Sequence, residues 1–374
     1  MRSRSVKLFL MAAVALIIMA AVHSLTGRLQ PEPQHISEGE AEYFRGTVKE
    51  VVQEDQTEFG LEQEAEVLIE GGPYEGQIIE LENIYEEENR YLDIRLEPGL
   101  EVILVAFQQN GDVDIQIQDV ARDKSLYLAG GLLALALLVV GKMRGFKTLI
   151  SLALTGYIIV RIMLPLMLRG WSPVAVATFS ALLIISVILI IIGGLSAKSL
   201  AAFIGTSVGV ITAGVLAYVI GEMAHLTGLG SEEAQLLMVS GLEINIRGLL
   251  YAGIIIGSLG AVTDVGMSVA SSAAQLKKAN PDIEPGDLFR HSMEVGRDIM
   301  ATMANTLILA YAGGAVPFLL LIMAQQLDWL RIINLDYVAT EILSGLAGSV
   351  GLVLAIPVTA MAATFLMFNS TFSF

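Results

Sequence analysis

Between residues 247 and 275 an apolar run is interrupted at Gly253, Gly257, Gly260, Asp264, Ser268, Ser271 and Gln275. At helical spacing these residues share one face, while Ile, Leu, Val and Met occupy the others. A carboxylate inside such a span costs about 2.5–3.5 kcal/mol on insertion scales, so it normally faces a partner or a water-filled path. The chemistry available to Asp264 there is reversible binding of a proton or a cation. The following apolar run offers Asn305, which can donate to an ionised carboxylate or accept from a protonated one, and Ser268 and Thr302 add hydroxyls at helical spacing. Arg161, within an earlier apolar run, could meet a substrate or form an ion pair with Glu222, Glu243 or Glu341. The expected coupling and substrate path is therefore Asp264, Asn305, Ser268, Ser271, Thr302 and Arg161.

A second polar group falls at the ends of the apolar runs: Glu222, His225, Glu243, Arg247 and Glu341. Glu222-x-x-His225 has the spacing of a carboxylate–imidazole metal pair, but such bundle sites need further inward-facing ligands. The expectation is a solvated polar cluster with no metal and no cofactor. The chain has no cysteine, which excludes disulfides, thiolate metal sites and thiol nucleophiles. No Gly-rich loop joins a strand to a helix, and no nucleophile–base pair stands out, so neither nucleotide binding nor an enzyme is expected. Basic residues flank the apolar runs, and nothing points to nucleic acid.

The elements that must hold these residues follow from charge and hydropathy. Of 374 residues 54% are hydrophobic, yet the net charge is −16. The charge is concentrated: residues 30–124 hold 25 of the 38 acidic side chains and only six Lys or Arg. A chain split this way is a membrane protein with a water-facing domain. Arg2, Arg4 and Lys7 precede the apolar run Leu8–Val22, so residues 1–29 read as an N-terminal membrane anchor or signal-like helix. Within 30–124, Ala65, Val67 and Ile69 alternate with Glu64, Glu66 and Glu70, and Asn110-Gly111 marks a hairpin turn, which predicts a small all-β, OB-like barrel or sandwich.

Seven further apolar runs lie near 125–141, 148–168, 173–193, 199–222, 247–273, 298–324 and 338–366. The predicted fold class is thus an α-helical polytopic membrane protein of about eight transmembrane helices, with a seven-helix bundle over 125–374 and a cytoplasmic loop at about 274–297. Eleven basic residues, among them Lys142, Arg144, Lys147, Lys277 and Lys278, fall on one side if the N-terminus is cytoplasmic. The positive-inside rule then puts both termini in the cytoplasm and the acidic β domain outside. Small residues at Gly205, Gly209, Ala213, Ala217 and Gly221 predict close helix packing. Gly313-Gly314 with Pro317, and Gly345, Gly348 and Gly351 with Pro357, mark two helices that could be broken.

The segments LGAVTDVGMSVASSAAQL and SMEVGRDIMATMANTLILAYAGGAVPFLLL, behind an anchor and a β domain, resemble the YibE/F-like family of bacterial multi-pass membrane proteins. The resemblance extends over nearly the whole chain, is most specific between about 247 and 325, and implies location in the bacterial cytoplasmic membrane. It fixes an architecture without an activity. A looser likeness, through Gly260, Asp264, Lys277, Gly296 and Arg297, is to the membrane halves of RND-type exporters and the SecD/SecF translocase accessory. The expected function is ion- or proton-coupled membrane transport of an unnamed ion or small molecule. The alternative is an accessory protein that binds a partner through its β domain. Expected partners are the lipid bilayer, that substrate, and a second copy or another membrane protein.

Overall fold

Alternation of small apolar and acidic residues in the first third of the chain builds strands with one covered face. The computed structural model describes residues 42–57, 60–86, 93–109 and 112–369. The expected anchor at 1–29 and the Asn110-Gly111 turn lie outside the described residues. Five antiparallel strands follow: β1 (Glu42–Thr57), β2 (Gly60–Ile69), β3 (Ile78–Tyr85), β4 (Glu101–Gln109) and β5 (Asp112–Val120). They form one sheet in the order β3-β2-β1-β4-β5, curled as a half-barrel. Phe44, Val48, Ala65, Val67, Ile69, Val102 and Leu104 line its concave core. The expected alternation in β2 is observed: Ala65, Val67 and Ile69 are buried between acidic neighbours. A single curled sheet rather than a sandwich results, because each strand pairs with its neighbour along one ladder.

Specific polar pairs lock this sheet. Gln63 is fully buried. Its amide donates to Glu54 at 2.7 Å and to the Leu96 carbonyl at 3.1 Å, and it accepts from the Leu96 N–H at 2.8 Å. The segment before β4 is thereby pinned across the core. Arg45 on β1 bridges Glu101 and Asp123, and Lys124 also reaches Glu101. Lys124, with Arg45, holds the Glu101 carboxyl below the usual carboxylate range.

The helices are α1 (Asp123–Gly141), α2 (Met143–Leu168), α3 (Pro173–Gly193), α4 (Ala197–Met223), α5 (Glu232–Val239), α6 (Ile246–Ala279), α7 (Pro285–Gly314), α8 (Val316–Ala324), α9 (Trp329–Ile333) and α10 (Asp336–Asn369). Among the described residues six helices are long and apolar enough to cross a membrane, and α7 with α8 makes a seventh if the bent pair is one span. All seven expected apolar runs therefore appear. The chain divides near Val139 into two compact units.

In the second unit, α4, α6 and α10 pack against one another, with α3 and α7 added to α6. The small-residue stripe of α4 explains how. Gly205, Gly209, Ala213, Ala217 and Gly221 are all buried. A Cβ on Gly209 would stand 2.6 Å from the Gly351 carbonyl oxygen, and one on Gly351 would stand 2.4 Å from that of Gly209. The two backbones touch, which only glycine on both sides permits.

Two expectations are corrected. Of the two helices read as breakable, only the α7–α8 pair bends, by 59°; α10 runs continuously through Pro357. Ala355 and Ile356 are buried there against the neighbouring helices, which hold the proline in line, whereas α8 has few neighbours to do so. The loop expected at about 274–297 is also mostly helix: only residues 280–284 connect α6 to α7. Beyond the apolar runs, Ala273, Leu288, Ser292 and Gly296 continue a buried stripe while charged residues take the other face. Amphipathic ends of this kind extend a helix past its membrane portion.

Candidate functional site

Helix α6 has two unlike faces. Ile255, Leu259, Val262, Val265, Val269 and Ala273 are buried in the core, while Gly253, Gly257, Gly260 and Asp264 are left uncovered on the opposite side. A Cβ on Gly253 or Gly260 would meet nothing within 4 Å, whereas one on Gly257 would run into the Tyr311 hydroxyl, so the face is open on either side of that one contact. Asp264 lies roughly 27 Å from the start of α6 and about 22 Å from its end, at 1.5 Å per residue. It is an exposed carboxyl near the middle of the helix with no hydrogen bond and no ion pair among the described residues.

The residues expected beside Asp264 are arranged differently from the sequence reading. Ser268 and Ser271 continue along α6, half buried. Asn305 and Thr302 are exposed on α7. The hydroxyl of Thr302 donates to the Ile299 carbonyl of its own helix, and no hydrogen bond joins Asn305 to Asp264. Asp264 precedes the end of α6 by 15 residues and Asn305 follows the start of α7 by 20. The two helices run antiparallel, so this offset is roughly 7 Å in depth.

Arg161 is exposed in a π-helical turn, Ile159–Met163. The cause is Pro165, which cannot donate to the Arg161 carbonyl. The ladder shifts by one residue, and Leu164 N–H bonds Ile159 O instead. Arg161 forms no ion pair among the described residues, so the pairing considered with Glu222, Glu243 or Glu341 is not found.

The polar cluster at the run ends resolves into parts. Glu222, near the end of α4, stands 3.5 Å from the Arg247 guanidinium near the start of α6. His225, beyond the end of α4, has a left-handed backbone (φ 53), and Glu243 precedes α6 on the connecting loop. Glu341 is half buried near the start of α10. Among the described residues no three His, Asp or Glu side chains are grouped as metal ligands.

Two tyrosines that sequence reasoning passed over complete these sites. Tyr251 is 1% exposed and donates its phenol to Glu222 at 3.2 Å. Gly221 makes this possible, since a Cβ there would lie 2.5 Å from the Tyr251 ring. Arg247 and Tyr251 are one helical turn apart, a spacing that could have flagged the pair. Tyr311 of α7 rests its hydroxyl, buried and without a partner among the described residues, over Gly257. The Glu222, Arg247 and Tyr251 group heads a cleft of about 640 Å³ between α3, α4 and α6, floored by Ile211, Val215 and Ile255.

A β half-barrel followed by a bundle of apolar helices, one carrying an exposed acid within its apolar run, defines a helical multi-pass membrane protein. The family model described as YibE/F-like protein matches residues 129–369, and the chain belongs to that family. The match starts within α1, so the resemblance expected over nearly the whole chain is shown for the helices and leaves the half-barrel outside it. No curated protein and no solved structure matches the chain.

Proposed function

We propose that this protein is an ion- or proton-coupled membrane transporter in which Asp264 is the coupling residue. One observation carries the reading: Asp264 lies within the apolar run on the exposed face of α6 with no hydrogen bond and no ion pair among the described residues. An acid kept for structure in a low-dielectric span would be paired or hydrogen-bonded, because an unpaired polar group there is costly. An acid kept for exchange must instead remain free to take up a proton or cation. Gly253 and Gly260 leave the same face of α6 free of side chains.

Asp264→Asn keeps shape and removes the exchangeable charge. In proteoliposomes, proton or cation flux measured with entrapped indicator dyes should fall at least about tenfold, with thermal stability close to wild type. Undiminished flux in the Asn variant would sink the proposal. In the same reading the half-barrel lies outside the cytoplasm and both termini inside, supported by the basic residues around α2 and the α6–α7 connection. A single cysteine at Glu75, exposed beyond β2, should react with an impermeant maleimide in intact cells. Reaction only after lysis would reverse the orientation.

A further inference from the structure

The cleft between α3, α4 and α6 lies away from Asp264 and has its own construction. Its mouth carries one anion and one cation, Glu222 and Arg247, both close to half exposed and held only 3.5 Å apart. Their contact is long for an ion pair, and among the described residues it is the one bond Arg247 makes with its five guanidinium donors. Tyr251 fixes Glu222 from below, and Tyr218 stacks edge-on against Tyr251 with ring centroids 5.6 Å apart. Both charged residues sit at helix ends, the second-last residue of α4 and the second of α6. The mouth therefore lies where a span meets the membrane surface.

Below the mouth the lining becomes apolar. From Arg247 to Ile255 is about 12 Å along the helix. Ile211 and Val215 on the α4 side are exposed, so the cleft opens sideways. A site with charges at the interface and an apolar floor open to the hydrocarbon fits an amphiphile already in the bilayer. Its volume of about 640 Å³ suits a headgroup with the first part of its chains.

We infer that this cleft binds a zwitterionic glycerophospholipid with a primary amine, its phosphate on Arg247 and its ammonium on Glu222. The charge pair selects this headgroup. An anionic lipid without an amine would leave its phosphate beside Glu222 with nothing to offset it, and a quaternary amine has no N–H to give the carboxylate. The neighbouring α6 N-terminus, capped by Asn245 through the Gly248 N–H at 2.9 Å, adds a partial positive charge for the phosphate.

Delipidated full-length protein, melted in detergent with added phosphatidylethanolamine, phosphatidylcholine or phosphatidylglycerol of equal chain length, provides the test. Phosphatidylethanolamine should raise the midpoint by about 5 °C more than the other two, and native mass spectrometry should retain it selectively. Arg247→Gln and Glu222→Gln should each remove that selectivity, while Arg290→Gln, on the exposed start of α7, should not. Val215→Trp, which fills the floor and leaves both charges, should remove it as well and does not depend on the Gln variants folding. Equal effects of the three lipids, or selectivity that survives in Val215→Trp, would overturn the assignment. Protection by glycerophosphoethanolamine without chains would overturn its lipid part in favour of a soluble zwitterion.

Discussion

The half-barrel and the helical bundle satisfy their buried polar groups to different degrees. In the half-barrel, Gln63 is fully buried and makes three good hydrogen bonds. In the bundle, Ser258, Thr263, Ser292 and Thr359 donate to carbonyls of their own helices, while the hydroxyls of Ser151, Ser180, Thr206, Ser207, Thr340, Thr364 and Tyr311 are buried without a partner among the described residues. The reference states differ. A water-facing domain unfolds into solvent that satisfies every amide, so burial must replace those bonds nearly completely. A helix lifted out of a bundle remains in lipid, where a hydroxyl gains little that it lacked before. Uniqueness in the bundle comes instead from shape, as at Gly209 against Gly351.

The sharpest way to break the contrast is to add atoms where two helix backbones touch. Gly209→Val places methyl groups where even a Cβ would stand 2.6 Å from the Gly351 carbonyl and 2.9 Å from the Ala355 Cβ. Neither neighbour is a flexible side-chain tip, so helices must move apart. Overpacking a core costs about 1–3 kcal/mol when side chains can adjust, and here more is expected. The variant should elute from size-exclusion chromatography in detergent largely as aggregate; a monodisperse peak with a normal melting point would contradict this packing.

Removing polarity should have its large effect in the half-barrel. Gln63→Leu keeps the volume but strands the buried Leu96 N–H and carbonyl, while the exposed Glu54 carboxylate turns to water. At about 1–3 kcal/mol for a buried group left unpaired, a loss near 3 kcal/mol is expected. Urea denaturation of a 30–124 fragment, followed by circular dichroism, measures it. A loss below about 1 kcal/mol would mean that water replaces the amide and that the contrast is overstated.

These two sites also show what could be read in advance. The small-residue stripe of α4 and the alternation in β2 were legible, because a one-dimensional period reports directly which face is covered. The partner was not: nothing local to Gly209 names Gly351. Asp264 was legible as an oddity by its type alone. Its depth relative to Asn305 was not, because the amphipathic ends of α6 and α7 replaced the expected loop and leave the two residues offset by about 7 Å. The Tyr251–Glu222 bond was hidden for the same reason as the glycine contact, since it joins residues on different helices through a space that Gly221 leaves empty.

The smallest expected effect gives the most discriminating comparison. Thr206 is fully buried, and its hydroxyl has no partner. Gly266 lies against it, since a Cβ there would come within 2.5 Å of Oγ1. Thr359, equally buried, donates to the Ala355 carbonyl at 2.7 Å. Thr→Val is close to isosteric at both positions, so it separates the hydroxyl from the packing. If bundle stability rests on shape, Thr206→Val should be neutral or stabilising, within about 0.5 kcal/mol, because no bond is lost and an unpaired dipole is removed. Thr359→Val should cost about 0.6 kcal/mol, the usual worth of a hydrogen bond between polar groups in a membrane protein. Unfolding of the full-length protein in mixed micelles resolves the two. Should Thr206→Val cost 1 kcal/mol or more, by the ordinary worth of one hydrogen bond, its hydroxyl has a partner such as a buried water, and the bundle follows the same rule as the half-barrel.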